Sequence, residues 1–426
     1  MDLRIFSLCM MFATLCASCA ARSENREGVA VLSKEKNELN FVCKYEVFPD
    51  SSRETDKLFK YARWLQEGNQ LKRDEVVDAE IERLYRIAAE NGNFKANVNL
   101  QNGSMQGRYK LRGEEHIRLS QELIDAGVAT GYFFIAVFLQ KGLSGLQEDR
   151  EMALRYFRKA ADEGSAEAQY YVGSKLEPSD MATEIAMRMY LCAAEQGHGE
   201  SAVSLGVYRK RHERYQDALE AFQLGVASGN SSSASFLAKA FRATGPEDEL
   251  FYLGVQHDSE RAERYVKVWR ALADYSYANP KVPEINHILP LPPERLPSWD
   301  GKLQWLVERE AKVMPSRPSE ALIRKLARNK FLEPSTGKPT PASSSFVAVN
   351  SPAPTCISGQ ECPESGYWQA VRLVDDISLE VTNGKVIYTR QNEVMPSLVV
   401  GGYGCRVSGF RKEDDCERRV VWRLLG

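Results

Sequence analysis

Histidine is scarce in this chain: five in 426 residues, His116, His198, His212, His257 and His287, with no ligand spacing among them. That leaves little material for a histidine-based metal centre or a nucleophile–histidine pair. No H-E-x-x-H, Walker A or G-x-S-x-G pattern occurs either, so the common hydrolase and nucleotide signatures are missing. An excess of one charge is missing too. The 56 basic and 58 acidic residues leave a formal net charge of −2, without the basic footprint of a nucleic-acid binder. No apolar run is long enough for a comfortable membrane span. The remaining chemical hints read blandly. His198, in Gly197-His198-Gly199, reads as a solvent-facing turn residue, Glu413-Asp414-Asp415 as a charged loop, and Met187-Arg188-Met189 as helix packing. The expectation is a protein that is not an enzyme, with no catalytic residue, cofactor, metal or nucleic-acid partner.

The chain does hold a repeat, from about Leu84 to Phe241. Glycines recur at Gly92, Gly127, Gly164, Gly197 and Gly229, spaced by 35, 37, 33 and 32 residues. A fixed period of this size marks stacked supersecondary units. Seven residues before four of the glycines stand Tyr85, Phe157, Tyr190 and Phe222; the weak copy around Gly127 has Ser120 there. Small pairs at minus four and minus three include Ala88-Ala89, Ala160-Ala161 and Ala193-Ala194. Helical spacing puts the aromatic and the small pair on one face. Small residues let two helices approach, the aromatic fills the wider gap, and the glycine suits the left-handed position that ends a helix. One such hairpin cannot bury its apolar face alone, so neighbours must stack.

These columns resemble the Sel1-like repeat, a relative of the tetratricopeptide repeat. The unit from Gly131 to Gly164 carries the pattern best, with Ile135-Ala136, the turn at Gly145, Asp149, Ala153, Phe157 and Ala160-Ala161. The resemblance implies a right-handed, α-rich solenoid of helical hairpins, and such solenoids are scaffolds for partners.

The first residues read as an export signal. Arg4 precedes an apolar core, Ile5 to Ala17, of signal-peptide length, ending in Leu15-Cys16-Ala17-Ser18-Cys19-Ala20. The end resembles the bacterial lipobox, which makes Cys19 the lipidation candidate and, with Ala20 after it, implies outer-membrane anchoring. Ordinary cleavage near Ala20, giving a soluble exported protein, stays open. Among the cysteines after Cys19 no two are spaced C-x-x-C. Cys356, Cys362, Cys405 and Cys416 cluster at the C-terminus, which in an oxidising compartment predicts two disulfides of open connectivity. Cys192 falls in an alanine-rich column and reads as a buried free thiol; Cys43 is exposed or paired.

Helices are expected over Thr55–Gln70, Asp78–Asn91, Glu260–Tyr277 and Leu303–Val313. Between Asn91 and Lys110 lies an asparagine-rich stretch read as a polar insertion, with Asn97, Asn99 and Asn102 as candidate partner contacts. Six prolines from Pro280 to Pro297 impose an extended path, and the apolar residues among them predict that it lies along the helical domain. After Gly337–Thr355, rich in Pro, Ser and Thr, the pattern alternates. Strands are predicted at Trp368–Leu373, Ile377–Thr382, Lys385–Arg390, Pro396–Tyr403 and Val420–Leu425, with a hairpin at Asn383-Gly384. Tyr367 and Trp368 are further candidate contacts, since aromatics dominate interfaces, although strand residues of this kind are more often core.

Leu289-Pro290-Leu291-Pro292-Pro293, Leu296-Pro297-Ser298-Trp299-Asp300-Gly301, Leu332 to Pro339 and Cys362 to Trp368 resemble a narrower group. These are Sel1-like lipoproteins encoded beside type VI secretion effectors, particularly phospholipases of the phospholipase D type. The resemblance implies an immunity protein that waits in the periplasm and neutralises the incoming lipase by binding it. An envelope scaffold that assembles other protein partners is the alternative. The expected layout is a signal peptide at 1–18, a tether at 19–52, the repeat domain at 53–278, a Pro-rich segment with helices at 279–336, a linker at 337–355 and a small β domain at 356–426. The oligomeric state stays open.

Overall fold

The computed structural model describes residues 40–178, 182–311, 313–346, 355–363, 366–374, 386–400, 405–407, 410–412 and 416–424. Helices dominate. In chain order they are α1 (Arg53–Asn69), α2 (Glu75–Glu90), α3 (Phe94–Met105), α4 (Gly113–Asp125), α5 (Thr130–Lys141), α6 (Arg150–Glu163), α7 (Ala166–Leu176) and α8 (Thr183–Glu195). Then follow α9 (Gly199–Arg211), α10 (Tyr215–Ala227), α11 (Ser231–Ala240), α12 (Ser259–Asp274), the short α13 (Ile285–Ile288), α14 (Gln304–Ala311) and α15 (Glu320–Asn329).

The hairpins are built by the repeat columns. All five repeat glycines have positive φ, from +76° at Gly127 to +117° at Gly164, the left-handed geometry that releases the chain from one helix into the next. The residue after the glycine then caps the new helix. Asn93, Ser165, His198 and Asn230 each accept, through the side chain, the backbone N–H three residues on. His198 is therefore not simply a solvent-facing turn residue: its Nδ1 accepts from Ser201 N at 3.2 Å. Burial lowers its pKa, which favours the neutral imidazole that this cap requires.

Nine residues after a glycine, a small residue meets the aromatic that stands seven before the next one. A Cβ on Gly173 would lie 2.9 Å from the Tyr190 ring, and one on Gly206 2.8 Å from the Phe222 ring. Aromatic against glycine is thus the contact that sets hairpin spacing, and it explains why both columns recur.

The elements fall into two compact units. One comprises the chain through Val47, Arg63–Asp74 and Phe157–Ser316; the other comprises Phe48–Ala62, Glu75–Tyr156 and the chain from Arg317. In the first, α8 packs on α7 and α9, and α11 on α10 and α12. The core at its later end joins Phe222, Phe241 and Tyr265 to Val282, Ile285, Leu289 and Leu303, so the proline-rich path is anchored by its apolar residues. Arg261 holds that path from beneath, donating to the carbonyls of Pro290 and Glu294. A Cβ on Gly229 would lie 1.9 Å from the Pro280 carbonyl oxygen, so glycine permits the close approach there.

In the second unit α2 packs on α3, α3 on α4, α4 on α5, and α15 on α2. The asparagine-rich stretch is therefore a helix hairpin partner, α3, and not an irregular insertion. Within the segment 279–336, the chain passes from the first unit to the second after Ser316. Its later part belongs to this second unit, where Glu320 pairs with Arg83 at 2.8 Å and the Leu326 carbonyl accepts from Asn91.

The same unit includes the C-terminal strands β1 (Thr355–Ile357), β2 (Gly366–Leu373), β3 (Val386–Thr389), β4 (Leu398–Val400), β5 (Cys405–Val407), β6 (Phe410–Lys412), β7 (Cys416–Arg418) and β8 (Val420–Leu424). An antiparallel sheet runs β1-β8-β2-β3, and β4–β7 and β5–β6 pair separately. Its core holds Trp368, Trp422, Ala370, Val420 and Met395. The strand predicted at Ile377–Thr382 and the Asn383-Gly384 hairpin lie outside the described residues.

Candidate interaction surface

Before α1 the chain runs without regular secondary structure from Asn40 to Val47, laid against the end of α6 and against α7 and α8 in the first unit. Phe41 is the buried foothold of this strap. The repeat helices grip its main chain with side chains. Arg158 donates to the Asn40 carbonyl at 2.8 Å, and Arg188 to that of Phe41. Gln169 Nε2 donates to the Lys44 carbonyl at 2.9 Å, and Gln196 Oε1 accepts from Glu46 N at 2.8 Å. The two glutamines are joined to each other at 3.0 Å, which fixes both amide orientations. Side-chain contacts are polar: Lys44 pairs with Glu163 at 3.2 Å, and Tyr45 Oη donates to Glu195 at 2.6 Å. That bond raises the Tyr45 pKa, because the phenol proton is held by a carboxylate. Gly164 leaves room for the strap: a Cβ there would lie 2.8 Å from Glu46 N. The geometry is that of a repeat surface holding a segment without regular secondary structure, supplied by the same chain.

A disulfide, Cys43–Cys192, locks the strap in place. This corrects the reading of Cys192 as a buried free thiol. The alanine column does bury Cys192, yet the strap brings Cys43 to a Cα–Cα distance of 5.7 Å, within bonding geometry. The signal was visible only as an odd pair of cysteines left over by the C-terminal four. Of the C-terminal four, Cys356 departs from the expected pairing and is a buried thiol, and Cys362 is buried beside it. Cys356 Sγ donates towards the Glu361 carbonyl at 3.5 Å, and burial pushes its pKa up, keeping it protonated. For Cys405 and Cys416 only the strand backbone is described, and Cys19 lies outside the described residues.

The asparagine candidates separate on inspection. Asn97 is 1% exposed and serves the interior. Its Nδ2 donates to the Leu119 carbonyl at 2.9 Å, and its Oδ1 accepts from Gln101 Nε2 at 2.8 Å. Gln101 Oε1 in turn meets His116 Nδ1 at 3.1 Å and Ser120 Oγ at 3.1 Å, while His116 Nε2 meets Ser104 Oγ at 3.0 Å. This closed network satisfies polar groups between α3 and α4. Burial depresses the His116 pKa to about 4, with the Glu115 carboxylate opposing and the Arg86 guanidinium assisting. Arg86 is itself buried, bonded to Glu115 at 2.7 Å and Glu82 at 2.8 Å. Asn99 and Asn102 are half-buried, and Asn99 Nδ2 donates to Tyr85 Oη at 3.5 Å. Trp368 is fully buried in the β core and corrects its candidacy as an exposed contact; the Tyr367 side chain lies outside those described. Among the described residues no group of three or more His, Cys, Asp or Glu is placed to hold a metal ion.

Comparison with known proteins fits the hairpin geometry. The Sel1 repeat family matches residues 129–165 and 166–198, so the chain carries Sel1 repeats where α5 to α8 form. Residues 233–340 match a family described as a domain of unknown function, DUF6396. No curated protein matches the sequence. Among solved structures, the immunity protein Pa5087 from Pseudomonas aeruginosa is similar at 25% identity and a TM-score of 0.45, over 60% of this chain and 96% of that one. Immunity protein PA5088 from Pseudomonas aeruginosa is similar at 23% identity and a TM-score of 0.47, over 60% and 95%. A Sel1 repeat protein from Oxalobacter formigenes is similar at 18% identity and a TM-score of 0.38, over 51% and 86%.

Proposed function

We propose that the protein is an exported immunity protein that neutralises a type VI secretion lipase, of the phospholipase D type, by stoichiometric binding. The observation that carries this reading is the Sel1 hairpin stack itself, with matches at residues 129–165 and 166–198. Stacked repeats of this kind offer helix faces to partner proteins, which suits protein binding more than catalysis. The sequence resemblance over Leu289–Gly301, Leu332–Pro339 and Cys362–Trp368 supplies the toxin class. The Cys43–Cys192 disulfide suits an oxidising compartment and so supports a periplasmic location, with Cys19 as the proposed lipid anchor.

No residue of this chain need take part in chemistry. Binding would act by covering the lipase active site or by blocking its opening. The surface between α6 and α8 already holds the strap, so the toxin would dock on other faces of the repeats or on the β domain. The test is survival of cells that express the phospholipase encoded beside this gene in their periplasm. Rescue that requires export, matched by a purified complex of equal stoichiometry, supports the reading. Killing that continues in the presence of folded, exported protein overturns it and leaves the envelope scaffold.

A further inference from the structure

Downstream of α12, still within the first unit, three aromatic rings surround a guanidinium. Tyr275 precedes the short 3-10 turn Ser276–Ala278, Tyr277 is its middle residue, and Trp305 lies in the first turn of α14. The Arg309 guanidinium, one helical turn on, lies 5.6 Å from the Tyr275 centroid, 5.6 Å from Tyr277 and 5.4 Å from Trp305. The rings brace each other: Tyr275 stands edge-on to Trp305 at 5.8 Å and lies 6.3 Å from Tyr277. All four side chains are half-buried, and α14 has no fully buried residue, so the cluster faces solvent.

The more deeply placed guanidinium groups of Arg86 and Arg118 have carboxylates: Arg86 has Glu82 and Glu115, and Arg118 has Glu90 and Glu122. Arg309 pairs with no carboxylate among the described residues; its contacts are the three rings. Its sequence neighbours Glu308 and Glu310 leave the helix about 100° to either side. The three rings confine the planar cation, and the half-buried side chain keeps part of its surface open to solvent. Guanidinium matches carboxylate through two parallel hydrogen bonds, and a side chain already immobilised loses less freedom on binding. Tyr, Trp and Arg together are also the composition of binding hot spots.

We propose that Arg309, braced by Tyr275, Tyr277 and Trp305, is the anchor for a carboxylate on the partner protein. The inference rests on the toxin-binding reading above and names the chemistry of one contact within it. The partner would bring an Asp or Glu to the centre of its interface, ringed by groups that pack on the aromatic edges.

The experiment measures binding of the purified protein to a catalytically inactive form of the neighbouring phospholipase, at low and at physiological salt. Arg309→Gln and Arg309→Glu are each expected to weaken binding by at least about thirtyfold, the scale of a hot-spot residue, with Arg309→Lys between them and the wild type. Tyr277→Leu, which removes one brace and keeps the charge, should weaken binding by a smaller factor. Melting temperatures, measured in parallel, must stay at the wild-type value for the comparison, and any variant that melts early is replaced by Trp305→Tyr. If folded Arg309→Gln and Arg309→Glu bind within about threefold of wild type, the inference is overturned while the function stands. Tighter binding by Arg309→Gln also overturns it, since the rings would then be taking a cation from the partner. If the wild type itself does not bind the phospholipase, the functional reading falls and this contact falls with it.

Discussion

Breaking the Cys43–Cys192 bond should cost the first unit more stability than any other single bond change. The bond joins residues 149 apart in sequence, and the chain-entropy treatment of a loop that long gives roughly 5 kcal/mol at 25 °C. Residual structure in the unfolded chain lowers this, so a measured loss of about 3 to 5 kcal/mol is expected. The variant to make is Cys43→Ser with Cys192→Ala, because Cys192 is 1% exposed and a hydroxyl there would be buried. Hydrogen exchange is the suitable assay, since it reads α8 amides separately from the second unit. The slowest α8 amides should lose protection by that amount in the variant and equally in the reduced wild type. The strap amide Glu46 N, which is bonded to Gln196, should lose protection first. A change below about 1 kcal/mol at α8 would refute the reasoning and mean that the strap is held by its polar contacts alone.

Other expectations concern single groups. His116 is held near pKa 4, below the ordinary 6.5 of an unfolded histidine, so the unfolded chain binds its proton first as pH falls. The stability due to its neutral burial is therefore full above about pH 6.5 and lost between there and pH 4, by about 3 kcal/mol; urea titration of His116→Gln should show a shallower decline over that window. Arg86→Ala leaves Glu115 buried without its partner and is expected to destabilise the second unit by about 3 to 5 kcal/mol in denaturant unfolding. Gly164→Ala combines a φ of +117° with a Cβ 2.8 Å from Glu46 N, so it should destabilise the first unit by about 1 to 3 kcal/mol and raise proteolysis of the strap. Alkylation of denatured, unreduced protein should modify Cys356 and spare Cys43 and Cys192.

The hairpins were legible because each repeat column states a local physical demand: a left-handed glycine, a small face, an aromatic to meet it. The same logic could have reached further than it did. Asn93 follows Gly92 as Ser165 follows Gly164, so the cap of α3 was present in the asparagine-rich stretch that reads as an insertion. Ser319 before Glu320 is likewise a helix start, and its side chain accepts from Leu322 N to open α15. Non-local facts were not legible. Nothing in the spacing of Cys43 and Cys192 announces a bond, because the strap that joins them is fixed by side-chain grips on its main chain. The Arg309 cluster was equally hidden, since Tyr275 and Trp305 meet only once the proline-rich path has folded back. Trp368 was readable either way, and burial of its ring in the β core decided the matter.

The strap has a mechanical consequence. If the chain is tethered through its N-terminus, a pull from that side travels along the backbone only as far as Cys43. It then crosses the disulfide to Cys192, in the middle of the repeats, and the backbone of residues 44–191 lies outside that covalent load path. The hairpins within that covalent loop are protected from unravelling by any load on the anchor, and the force instead enters the fold at α8, flanked by α7 and α9. Reduction of one bond would move the point of attack back to the strap itself, where Phe41 and a few polar contacts would have to hold alone.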